Sequence, residues 1–136
     1  MIVSDEEARV VITHDGDVVT ARQLGRDMAK QTGFYGSDLT LIATAISEIA
    51  RNIVSYAQRG EIVFNALEEG QRRGLLVVAR DEGPGIPNIE LAMRDGFSTG
   101  KSLGLGLPGA RRLMDEFEIE SEIGKGTTVI MRKWVR

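Results

Sequence analysis

The chain is 136 residues long, 42% hydrophobic and 27% charged, the profile of a globular protein with one core of ordinary size. A formal net charge of −3 argues against holding a nucleic acid by neutralising its phosphates, and the absence of cysteine excludes a disulfide framework or a thiolate metal site. No apolar run reaches the length of a membrane span, and the N-terminal MIVSDEEARV has no basic-then-apolar leader, so the expectation is a cytoplasmic protein whose partners include neither membrane nor nucleic acid.

In chain order, ARVVITHDGDVVTA alternates apolar runs around a His-Asp-Gly-Asp turn and reads as a strand-turn segment or short hairpin, with His14 as a surface turn residue. TARQLGRDMAKQTGF follows with Ala21, Leu24 and Met28 at helical spacing, Thr20 or the residues before it as cap, and Gly33 as stop. GSDLTLIATAISEIARNIVSYAQRG carries the strongest helical pattern. Leu39, Ile42, Ala43, Ile46, Ile49, Ala50, Ile53 and Tyr56 or Ala57 repeat at three- and four-residue steps, with Ser37 or Asp38 as cap and Gly60 as the end. EIVFNAL and GLLVVAR are strand-like runs joined by EEGQRRG, which predicts an antiparallel hairpin. NIELAMRDG suggests a short helix, FSTGKSLGLGLPG is too rich in glycine to be regular throughout, and LPGARRLMDEF returns to helical spacing. EIESEIGKGTTVIMRKW closes as two strands around a Gly-Lys-Gly turn. This order predicts one α+β domain over residues 1–136: a two-layer sandwich whose mixed, mostly antiparallel sheet is covered on one face by helices.

Two standard phosphate motifs fail between Gly96 and Gly109. TGKS would need a glycine where Asp95 stands, and GLGLPG fits Gly-x-Gly-x-x-Gly but follows FSTGKSL, which is not a buried strand. A third reading joins three segments. Gly104 and Gly106, ahead of LPGARRLMDEF, can turn bare backbone N–H groups toward an anion such as a triphosphate, or can form a simple turn before the helix. In LLVVARDEGPGIP, Asp81 ends an apolar strand, where its carboxylate can accept from the exocyclic amine of adenine and reject the O6 of guanine. Gly83 and Gly85 then clear room for a flat ring over Ile86; the same acid can instead be a local turn acceptor. In SEIARN, Glu48 and Asn52 stand four apart on one helical face. An amide oxygen suits Mg2+ and a carboxylate can orient or deprotonate a hydroxyl, while the bland alternative is a helix-surface hydrogen bond.

Taken together, Glu48-x-x-x-Asn52 on a helix, Asp81-Glu82-Gly83-Pro84-Gly85-Ile86 after a strand, Gly104-Leu105-Gly106 opening a helix and a closing GKGTTVIM with Gly126 and Thr127 resemble the GHKL (Bergerat-fold) ATPases. The likeness runs from about Asp38 to Met131. With no phospho-acceptor helical domain and no further domain, the chain is most similar to the branch of small anti-sigma-type serine/threonine kinases.

That resemblance implies ATP and Mg2+ as cofactors. Asn52 would ligate the metal, and Glu48 would be base or orienting group for the acceptor hydroxyl. Asp81 would read adenine, with Gly83, Gly85 and Ile86 shaping its pocket and Thr127 supporting the adenine side. Gly104, Leu105 and Gly106 would wrap the phosphates, and Phe97 to Leu103 would be the mobile lid. Lys101 and Ser98 or Thr99 suit phosphate contacts by their chemistry, or belong to a solvated lid. The resemblance further implies STAS-domain scaffold or antagonist proteins of a stressosome as substrates, and a PP2C-type phosphatase regulator as the partner bound on release. The other function class open to these residues is a non-catalytic binding module that nucleotide reshapes.

Overall fold

The computed structural model describes residues 1–93 and 106–136. Its strands are β1 (Ile2–Ile12), β2 (Gly60–Glu69), β3 (Arg72–Asp81), β4 (Glu116–Glu122) and β5 (Gly126–Trp134), joined in one sheet in the order β1-β2-β3-β5-β4. Helices α1 (Asp15–Thr32) and α2 (Ser37–Tyr56) pack together on one face, α4 (Gly106–Leu113) lies against α2, and α3 (Ile89–Ala92) is a single turn. The α+β sandwich expected from the sequence is the fold observed. The sheet, however, is antiparallel throughout rather than mixed. The reason lies in the last hairpin: its second strand, β5, takes the place beside β3, and β4, which runs in the parallel sense, is left at the edge.

Strand alternation builds the core. Val10 and Ile12, Ile62 and Phe64, Leu75 and Val77, Val129 and Met131 are buried at every second position and form one cluster with Ile42, Ile46, Ile49 and Ile53 of α2. The helices approach closely because α1 is bare at Gly25, where an added Cβ would collide with Ile46 and the Phe64 ring.

Three element boundaries differ from the sequence expectation. Helix α1 starts at Asp15, well before Thr20, because a side-chain cap overrides the strand-like Val18-Val19-Thr20. The Gly16 N–H donates to His14 Nδ1 at 3.0 Å, and Asp17 Oδ2 accepts from the Thr13 and His14 N–H groups at 2.9 and 3.2 Å. These bonds, the one from the Thr13 backbone foremost, hold the Asp17 carboxyl below its ordinary value. Helix α2 is capped by neither Ser37 nor Asp38; Gly36, at φ 62°, is its N-cap residue and makes no side-chain cap. Nor does Gly60 end that helix. Tyr56 is its last residue, Gln58 turns the chain at φ 68°, and Gly60 opens β2 because a Cβ there would lie 2.5 Å from the Arg80 carbonyl oxygen.

Candidate active site

The same alternation that buries Leu75, Val77 and Ala79 puts Asp81 next on that face of β3. Along β5, Met131 and Val129 lead in the same way to Thr127, which is the direct partner of Asp81 across the ladder and is 6% exposed. Ser121 of β4 pairs with Thr127 from the other side. The apolar sheet face therefore ends in a carboxylate flanked by hydroxyls. Ser121 Oγ ties this corner together: it accepts the Ile86 N–H at 2.7 Å, shares a 2.8 Å hydrogen bond with Thr127 Oγ1 and lies 3.2 Å from the Gly126 carbonyl oxygen.

The glycine-proline run after Asp81 is wedged between two other segments. Gly83 donates its N–H to Asp81 Oδ1 at 2.9 Å, and a Cβ on it would sit 2.6 Å from that of Ala57 at the end of α2. Gly85, at φ 81°, is pressed against the Glu122 carbonyl, and the Gly124 N–H donates to the Pro84 carbonyl at 2.9 Å. In the direction a side chain would take, both glycines are met by protein, so neither position has room for a Cβ. Gly85 still lines the cavity described below; Gly83 lies behind its wall.

Helix α2 supplies the opposite wall. Glu48 is 2% exposed, yet a guanidinium and a backbone amide reach it: Arg51 Nη1 donates to its Oε1 and the Gly106 N–H of α4 to its Oε2, each at 3.0 Å. Asn52, one turn on, faces the same space. The cavity has a volume of about 390 Å³, within the range of small-molecule sites. Glu48 and Asn52 from α2, Asp81 and Thr127 from the sheet, Gly85 and Ile86 from the loop, and Gly106 from α4 all line it. Lys101, Gly104 and Leu105, with the lid span Phe97 to Leu103, lie outside the described residues. His14, as a helix cap, takes no part in the lining.

Several wall residues escaped the motif reading. Arg51 and Tyr56 follow Glu48 and Asn52 at three- and four-residue steps, so helical spacing alone could have found them. Asn88 and Leu107 directly follow the DEGPGIP and Gly104-Leu105-Gly106 segments, so their place beside the motifs could have marked them.

The model of the histidine kinase-like ATPase domain family matches residues 13–133. The chain belongs to this family. The matched span of this histidine kinase-like ATPase takes in every residue of the cavity wall. The chain is 48% identical over 132 residues to the serine/threonine-protein kinase RsbT of Bacillus subtilis, covering 97% of this chain and 99% of that one. It is 33% identical over 102 residues to the anti-sigma F factor of Clostridium kluyveri, 71% of this chain and 70% of that one. Among solved structures, the mycobacterial sensor histidine kinase MprB shares the fold with a TM-score of 0.57 at 16% identity, covering 96% of this chain and 99% of the other.

Proposed function

We propose that the whole chain acts as one ATP-binding unit, a serine/threonine protein kinase that transfers the terminal phosphoryl group of Mg-ATP to a hydroxyl on a regulatory protein partner. One observation carries the reading: a single cavity with apolar walls is faced by Asp81 and Thr127 from the sheet and by Glu48 and Asn52 from helix α2. The near full-length similarity to a chain named as such a kinase supports it, and the similarity to anti-sigma F factors supports a role in sigma-factor regulation.

In this reading Asp81 accepts from the adenine amine, with Thr127 and Ile86 beside the ring. Asn52 offers its amide oxygen to Mg2+. The amide oxygen of Asn52, on the cavity wall, is the kind of hard donor this ion takes. Bound with the nucleotide, the ion neutralises phosphate charge. Glu48, held on Oε2 by the Gly106 N–H, orients the acceptor hydroxyl toward the terminal phosphorus. As that oxygen bonds to phosphorus, its proton passes to the carboxylate, the bridging P–O bond breaks and ADP leaves with the electron pair. Positioning and charge compensation supply most of the catalysis.

The partners that fit the resemblance are STAS-domain scaffold or antagonist proteins of a stressosome and, once the kinase is released, a PP2C-type phosphatase regulator; the setting is the cytoplasm of a bacterium. None of the described helices is long and apolar enough to cross a membrane. The test is labelled-phosphate transfer from Mg-ATP to a STAS-domain protein. Glu48→Ala is expected to lower transfer by about 10²-fold or more without weakening ATP binding. Undiminished transfer by the variant would remove Glu48 from the reaction. ATP binding without transfer to any such protein would favour a nucleotide-gated binding module.

A further inference from the structure

Arg51 is the one cation among the described residues that line the cavity. Its guanidinium is about a third exposed, with side-chain accessibility of 31% against 1% for Glu48, and its only partner among the described residues is the Glu48 carboxylate. The pair is unequal. Glu48 is buried and held on its other oxygen by Gly106, whereas Arg51, which lines the cavity, spends one of its five donors on Glu48. A planar guanidinium beside an anion-accepting cavity matches phosphoryl oxygens as well as it matches a carboxylate.

Resting on the proposed nucleotide site, we infer that Arg51 is the residue by which this site distinguishes a nucleoside triphosphate from a diphosphate: its guanidinium exchanges the Glu48 carboxylate for the terminal phosphoryl oxygens. Arg51 thereby couples the occupant of the cavity to the residue that Glu48 is paired with.

The experiment is equilibrium binding of Mg-ATP and Mg-ADP to the full chain and its variants. Arg51→Met is expected to weaken Mg-ATP about tenfold or more and Mg-ADP by no more than about twofold. Arg51→Lys, which keeps the charge and loses the fork, is expected to recover part of the ATP-to-ADP ratio. If Arg51→Met does not fold because it strands a buried carboxylate, Arg51→Met with Glu48→Gln removes both charges and must show the same collapse of the ratio. An equal loss for both nucleotides, or no loss, overturns the role of Arg51 while ATP binding by the wild type leaves the kinase reading standing. Failure of the wild type to bind ATP overturns both.

Discussion

Asp81 serves the turn and the cavity at once. Its Oδ1 accepts the Gly83 N–H, and its side chain has no other hydrogen bond among the described residues while lining the cavity beside Thr127. The two readings the sequence left open for this acid, local turn acceptor and base reader, are thus compatible. Asp81→Asn keeps a carbonyl for Gly83 and turns an amide NH2 toward the place of the adenine amine. The expected outcome is a loss of ATP affinity of about 10- to 100-fold with a much smaller change for GTP, measured by competition against a fluorescent nucleotide. The position of Asp81 was legible because strand alternation carries it onto the buried face. The close packing at Gly83 and Gly85 was not, since the atoms a side chain there would meet belong to Ala57 and Glu122, far off in sequence.

At the scale of elements, the start of α1 shows how a few polar atoms can outweigh β-branched residues. Three donors, the Thr13 and His14 N–H groups and the Thr13 hydroxyl, converge on one oxygen of Asp17. Its carboxyl ionises below the ordinary value of 3.8, so its contribution is fully present above that pH and disappears as the pH falls through the lowered folded value. Thermal midpoints of the wild type and Asp17→Asn should therefore differ near neutrality and converge as the pH is taken below 3.8. Equal separation at every pH would show that the charge is not what holds the cap. The length and inner face of α2 could be read from its apolar repeat, yet its N-cap could not: a glycine at positive φ leaves no side-chain signature.

For the molecule as a whole, α2 joins stability to chemistry. Glu48 and Asn52 alternate along it with Ile46, Ile49 and Ile53, each at most 2% exposed, so the cavity wall is the flank of a core helix. Ile49→Ala is expected to cost about 2–5 kcal/mol in denaturant unfolding. Saturating Mg-ATP should return part of that loss by binding only the folded chain, and its failure to do so would place the nucleotide elsewhere. The α+β class was legible because the order of helices and strands limits the layers available; that every strand pairs antiparallel was not, because it depends on which strand of the last hairpin lies inside. That placement also has a bearing on biosynthesis. The ribosome delivers β3 long before β5, so the growing polypeptide holds β3 with an open edge and Asp81 without its Thr127 neighbour until residues 126–134 emerge. A nascent chain can bury much of its hydrophobic interior, but the Asp81–Thr127 corner becomes complete only with the arrival of β5.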